Sequence, residues 1–308
     1  MFNFLAVAFA AALTWGILRA FIPFFRRRIL DHPNSRSSHS LPTPRGGGLA
    51  FVLVGSTAVA FLGVWIPALC LPLALVGFLD DRHNLPAALR YGIQVFTALV
   101  LVLISPWHLT SIGSLPWMLL LIASTAVINF TNFMDGLDGL VAGCMAVLFS
   151  SAALTGMPAF WPLVGSLLGF LLWNWSPAKL FMGDVGSTFL GAVFAGVVLQ
   201  QTSFQSALGL LLVGTPLFGD AFLCVPRRLL AGQRVIQAHR LHLFQRLHQA
   251  GWSHARVSSL YIAGTAVLAA ALLAGGWPWA LALAVVELFV GFWLDRHVAV
   301  PFVVASQS

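Results

Sequence analysis

Between residues 115 and 155 the chain reads LPWMLLLIASTAVINFTNFMDGLDGLVAGCMAVLFSSAALT. Two apolar runs, 115 to 131 and 139 to 155, are joined by Asn129-Phe130-Thr131-Asn132-Phe133-Met134-Asp135-Gly136-Leu137-Asp138-Gly139-Leu140. Each run approaches the roughly 20 residues that a helix needs to cross about 30 Å of hydrocarbon. The connection is too polar and too glycine-rich to continue them as one helix. Polar chemistry therefore sits at a membrane edge, between two crossings.

The same alternation extends in both directions. Further apolar runs lie at about 2 to 22, 47 to 64, 66 to 79, 88 to 104, 159 to 175, 186 to 201, 205 to 224, 257 to 274 and 277 to 294, which makes eleven spans. A composition that is 59% hydrophobic and 8% charged, with a mean hydropathy of +0.91, excludes a water-soluble globular chain of 308 residues. The first run has no Lys or Arg before Arg19, whereas a cleaved signal peptide carries its positive charge ahead of the apolar stretch, so it reads as a first transmembrane helix. The expected fold is an all-α polytopic membrane protein forming a single domain over residues 1–308.

Charge then sets the orientation. With eleven spans, all 16 Lys and Arg residues fall on one side: Arg26 to Arg45, Arg82 and Arg90, Lys179, Arg227 to Arg256, and Arg296, with Arg19 reaching that face from its helix end. The opposite connections, near Gly63, Ser105 to Ser114, Thr155 to Ala159, Gln200 to Gln205 and Gly275, carry none. The positive-inside rule makes the charged face cytoplasmic, with the N-terminus outside and the C-terminus inside. Membrane orientation and phosphate handling account for the net charge of +7, and no soluble domain offers a basic stripe to nucleic acid. Cys70, Cys144 and Cys224 lie in apolar runs without C-x-x-C spacing and read as small core residues.

The charged-face connections, 31–48, 80–84, 129–140, 176–188 and 226–256, hold the candidate chemistry. Gly46-Gly47-Gly48 opens a helix, where backbone N–H groups can approach an anion. Asp80 and Asp81 end a span, where adjacent carboxylates cost stability unless a cation or a proton-accepting role compensates. Asn129 and Asn132 share a helix face at i, i+3, and Asp135 and Asp138 repeat that spacing, a density suited to a divalent cation, a sugar or a nucleoside base. Asp184 lies between Gly183 and Gly186 at a helix start, where it could also act as a cap. His239-Arg240-Leu241-His242 can grip a pyrophosphate, while two histidines are too few for a closed zinc site.

Taken together and in order over about residues 31 to 256, these segments resemble the polyprenyl-phosphate N-acetylhexosamine-1-phosphate transferase family, glycosyltransferase family 4 of bacterial envelope biosynthesis. The matching motifs are H-S-x-P-T-P-R-G-G-G from His39, D-D at Asp80, N-x-x-N-x-x-D-G-x-D-G-L from Asn129, F-M-G-D-x-G-S from Phe181 and H-R-x-H-x-x-Q-R-L from His239. The last looks like the branch that starts O-antigen or other surface glycans, since phospho-N-acetylmuramoyl-pentapeptide transferases usually carry a histidine-rich triplet there.

The resemblance implies transfer of a sugar-1-phosphate from a UDP-N-acetylhexosamine to undecaprenyl or another polyprenyl phosphate, at the cytoplasmic face of the bacterial inner membrane. It implies Mg²⁺, with Mn²⁺ as a substitute, held by Asp184 and Asn132. Asp80 would be base or lipid-phosphate organiser, supported by Asp81. Phe181 would stack on uracil, and Asn129, Asp135 and Asp138 would hold nucleoside or metal. His239, Arg240 and His242 would contact pyrophosphate or sugar, with Thr43 and Arg45 lining the donor pocket. Membrane lipid surrounds the chain, and a homodimer is left open. Asp220 is also like a family acid, and Glu287 has no assigned role. A transporter or flippase is the rival reading, but transporters place binding groups near the midplane, and here they crowd one edge.

Overall fold

The computed structural model describes residues 2–33, 37–39, 41–109, 114–233 and 239–306. Arg36, Ser40 and Arg234, which belong to the expected polar connections, lie outside these residues. The chain is nearly all helical, as its apolar runs require. In order it forms α1 (Phe2–Arg28), α2 (Gly48–Phe61), α3 (Ile66–Leu69), α4 (Leu71–His83), α5 (Ala87–Leu103), α6 (Ser114–Phe133) and α7 (Leu140–Leu154). Then follow α8 (Trp161–Asn174), α9 (Asp184–Leu199), α10 (Phe204–Val213), α11 (Thr215–Leu230), α12 (Leu243–Gln249), α13 (His254–His297) and α14 (Phe302–Ala305).

Three of these are long and apolar enough to cross a membrane by themselves: Asn3–Arg28, Pro116–Phe133 and His254–His297. Shorter apolar helices, among them α2, α5, α7 and α9, complete the bundle. The run expected at 66 to 79 is broken at Cys70 into α3 and α4. The run expected at 205 to 224 is not one helix: α10 and α11 meet at Gly214 with a bend of 81°, beside Pro216, which has no N–H to continue the ladder. α13 reverses at Gly276, where φ is +73°, and Glu287 on the second limb comes to Gly264 on the first. It therefore supplies both of the last two expected runs.

α9 is the centre. Every residue from Val185 to Leu199 is buried, which fits a sequence that is apolar on all sides. Small residues bring the other helices close. Gly165 and Gly169 on α8, four apart, face the backbone of Val7 and Ala11 on α1 so closely that a Cβ at either glycine would lie within 2.3 Å of a carbonyl oxygen. At the polar end, a Cβ on Gly48 would stand 2.6 Å from Cα of Gly186, which seats the start of α2 directly on the start of α9.

One departure from an all-α fold is a two-stranded antiparallel ladder, β1 (Leu30–Asp31) with β2 (Thr43–Pro44), that closes the 31–48 connection on itself. The same segment then pairs with the 176–183 connection. Phe181 N donates to Pro44 O at 2.9 Å, Gly47 N to Phe181 O at 3.0 Å and Gly48 N to Met182 O at 3.0 Å. The anion-cradling role expected of the three glycines is thereby overturned for Gly47 and Gly48, whose N–H groups already have carbonyl partners.

Gly48→Ala forces α2 away from α9 and is expected to destabilise by about 1–3 kcal/mol, in the range of overpacking. Gly92→Ala, with open space around it, is the control. Thermal unfolding in detergent should show a lower midpoint for the first only; equal midpoints would rule out this contact as a constraint.

Candidate active site

A cavity of about 290 Å³ opens where α4, α5, α6 and α9 meet the segment leading into α12. Asn129, Asn132, Asp184, His239 and His242 line it, so five of the expected site residues converge from three separate connections. Asn129 and Asn132 do so because α6 continues to Phe133, keeping them on one helical face. The helix ends there, so Asp135 and Asp138 do not repeat that face as their spacing had predicted.

Asp184 does not cap its own helix. Gly183 is the N-cap residue, with φ of +73°, and the N–H groups of Asp184 and Val185 donate instead to Asp81, at 3.2 and 3.4 Å. A Cβ on Gly183 would collide with the Asp81 carboxylate. Asp81 is thus a half-buried holder of the α9 terminus and is absent from the cavity lining. Freed from capping, Asp184 accepts from Asn132 Nδ2 at 3.0 Å and faces Arg90 Nη1 at 3.6 Å.

Asp80 lies one layer away. Its carboxylate accepts from Leu85 N at 2.6 Å and from Arg90 Nη1 at 2.7 Å, and it neighbours that of Asp184. Arg90 therefore links two acids at the cavity wall. Its sequence context gave no sign of this: it reads as one more charged-face arginine, ten positions beyond Asp80. Gln94, one turn further along α5, also lines the cavity, with Oε1 buried and without a hydrogen-bond partner.

Asp184 and the side-chain carbonyl of Asn132 offer oxygen donors, the chemistry that Mg²⁺ takes. Asn132 now presents Nδ2 to Asp184, so ligation by both requires its amide to turn by half a revolution. Ser187 Oγ, 2.9 Å from that nitrogen, can then donate to the amide oxygen. The residues fit a hard divalent cation on those terms.

Other expected residues hold the loops around the cavity. Asp138 accepts from Ala178 N at 3.1 Å and faces His254 Nδ1 at 3.1 Å, while His254 Nε2 reaches Ser38 O at 3.1 Å. One carboxylate and one imidazole thus tie four connections together. Burial pushes the Asp138 carboxyl up, but the His254 ring and the Ala178 N–H outweigh it and hold the group below the ordinary range. Arg45 pairs with Asp31 at 2.6 Å, Thr43 donates to Leu41 O at 3.1 Å, and the Phe181 ring meets His39 edge-on at 5.0 Å. None of Thr43, Arg45, Phe181, Asp135, Asp138 and Arg240 lines the cavity, against the expectation of direct donor contact.

The two lining histidines are unlike. Burial, the neighbouring His242 and Arg228 press His239 down to about 3, so it is neutral, and its Nδ1 accepts from Leu241 N at 3.2 Å, leaving the proton on Nε2. His242 is opposed by burial, yet Asp220 lifts it to about 9. Cys224, read as a core residue, is buried as expected and also joins His239 and His242, with one potential ligand atom from each within 4.8 Å of the others. Arg228 and an imidazole already paired with Asp220 make this corner positive, which favours an anion over a second cation.

A family model described as glycosyl transferase family 4 matches residues 61–202. A decaprenyl-phosphate N-acetylglucosaminephosphotransferase of Mycobacterium leprae is 33% identical over 79% of this chain and 78% of its own. A phospho-N-acetylmuramoyl-pentapeptide-transferase of a Synechococcus strain is 31% identical over 84% and 86%, and an undecaprenyl-phosphate alpha-N-acetylglucosaminyl 1-phosphate transferase of Salmonella typhi is 29% identical over 80% and 75%. The chain belongs to glycosyl transferase family 4. It is a membrane protein of the polyprenyl-phosphate sugar-1-phosphate transferase kind.

Burial, then the nearby Asp184, raises the Asp135 carboxyl to about 7 against the pull of Arg45. Between the ordinary carboxylate range and about pH 7 the folded chain keeps a proton that the unfolded chain has lost, so stability falls as pH rises through that window. Asp135→Asn removes the titration. In metal-free buffer its melting temperature should gain on the wild type's from pH 5 to pH 8, and a constant difference would contradict this.

Proposed function

We propose that this chain transfers N-acetylglucosamine-1-phosphate, or a related N-acetylhexosamine-1-phosphate, from a UDP-sugar to undecaprenyl phosphate. The products are undecaprenyl-diphosphate-sugar and UMP, in the first membrane step of O-antigen or another envelope glycan. The observation that carries this reading is the cavity itself, which sets Asp184 of α9 and the two amides of α6 against one neutral and one protonated histidine. Such a cavity suits a diphosphate with a cation on one side and a protonated imidazole on the other.

The reading includes eleven crossings, the N-terminus outside and the site at the cytoplasmic face of the inner membrane, where a water-soluble nucleotide can meet a lipid phosphate. An oxygen of the acceptor phosphate attacks the β-phosphorus of the donor, and the bond from that phosphorus to the bridging oxygen breaks to release UMP. Asp184 and Asn132 would hold Mg²⁺, which would screen the diphosphate and the leaving UMP. Arg90, between Asp80 and Asp184, adds a donor on the same wall. His239 presents Nε2–H and His242 a positive ring to the far side of the diphosphate. The acceptor phosphate is largely ionised near neutral pH, so Asp80 acts by keeping Arg90 in place more than by removing a proton. Phosphoryl transfer depends chiefly on such positioning and charge neutralisation.

With purified protein, UMP release should require a UDP-N-acetylhexosamine, undecaprenyl phosphate and a divalent cation together, each omitted in turn. Asp184→Ala should lower turnover at least 100-fold, the scale of removing one electrostatic anchor of a transition state, with an unchanged melting profile. Full activity in that variant, or none in wild type with any donor, would overturn the reading.

A further inference from the structure

Asp220 lies on α11, outside the cavity lining, and its carboxylate is almost wholly buried. Four groups converge on it. Leu243 N donates to Oδ1 at 2.8 Å and Phe244 N to Oδ2 at 3.0 Å, which places the carboxylate at the first turn of α12. Tyr261 Oη, from α13, donates to Oδ2 at 2.7 Å. His242 Nδ1, which finds no hydrogen-bond partner at closer range, faces Oδ1 at 3.6 Å. The His242 side chain is 2% exposed, so water cannot stand in for that partner.

We propose that Asp220 is a positioning residue of the transfer: from behind the cavity wall it fixes the first turn of α12 and holds the His242 ring as its ion-pair partner, so that the wall facing the donor diphosphate is positive at neutral pH. This rests on the transferase reading above. Without Asp220, a buried imidazole among other positive groups would lose its proton, as His239 next to it does.

The groups around His242 bear this out. Asp220 and Cys224 face it from α11, His239 from the preceding segment, and Tyr261 from α13 through Asp220, while Arg228 and Arg246 lie further out. Asp220 is the one carboxylate in that set. The backbone bonds and the ion pair use the same two oxygens, so charge on His242 and the placement of α12 are set by one group. His242 begins α12 and therefore moves with it.

Histidine-labelled full-length protein in nanodiscs, observed by nitrogen-edited NMR, should show the His242 ring charged up to pH 8, and in Asp220→Asn neutral above about pH 7. UMP release should show a KM for UDP-N-acetylglucosamine that is flat from pH 6 to pH 8 in wild type. In Asp220→Asn that KM should rise about tenfold or more at pH 8, as expected for loss of one charge-assisted contact, and recover toward pH 6, with kcat changing little. Asp220→Asn/His242→Gln should be no weaker than His242→Gln alone. Tyr261→Phe, which spares the ion pair, should keep the flat profile and serves if Asp220→Asn does not fold.

A neutral His242 in wild type at pH 7, a wild-type pH profile in Asp220→Asn, or fully additive losses in the double variant would overturn the proposal. Absence of UMP with every donor, alongside a charged His242, would instead overturn the transferase reading and leave the ion pair standing.

Discussion

The carboxylate of Asp81 accepts the first backbone N–H groups of α9, and on that contact the geometry of the cavity depends. A helix start needs an acceptor for its unpaired N–H groups. Asp184, the first residue of α9, is well placed to be that acceptor for its own helix. Because Asp81 arrives from α4 and takes the role, Asp184 is left free to face Asn132 and Arg90. Gly77 makes the arrival possible, since a Cβ there would stand 2.6 Å from the Asp184 backbone. Leaving a helix-start N–H buried without an acceptor costs about 1–3 kcal/mol, against about 0–1 kcal/mol for an exposed pair, so this contact outranks surface ion pairs such as Arg227 with Asp295.

The same device recurs around the cavity: an acid set back from the lining holds a backbone, an arginine or an imidazole, and for Asp80 and Asp220 the group it holds does the facing. Asp80 holds Leu85 N and Arg90, Asp138 holds Ala178 N and His254, and Asp220 holds the first turn of α12 and His242. Of the expected acids, Asp184 alone reaches the cavity directly. Buried acids in an apolar bundle are costly unless hydrogen-bonded or paired, and each of these is, Asp80 and Asp220 at both oxygens. The result is a rigid rim of loops on a helical scaffold, which suits a reaction governed by the placement of charged groups.

Much of this was legible from the residues. The apolar runs gave the helical membrane architecture, and the Asn129 and Asn132 spacing put both amides on one helix face, which lines the cavity. What spacing could not separate was an acid that faces a ligand from an acid that holds a loop, because Asp81 and Asp138 find their partners 103 and 40 positions away. The glycines at 47 and 48 looked like an anion cradle because nothing local shows that the 176–183 connection will occupy their N–H groups. The connection near Gly275 was legible, but the bend at Gly214 lies inside an apolar run and was not. Arg90 gave no local signal, and the part Asp220 plays depends on α12 and α13, both later in the chain.

The most direct measurement is an electron cryomicroscopy structure of the protein in nanodiscs with a UDP-N-acetylhexosamine and Mg²⁺. The account predicts the diphosphate inside the cavity, with the cation on Asp184 and Asn132 and His242 on the opposite side. A nucleotide bound elsewhere, or a diphosphate that reaches neither Asp184 nor His242, would contradict it.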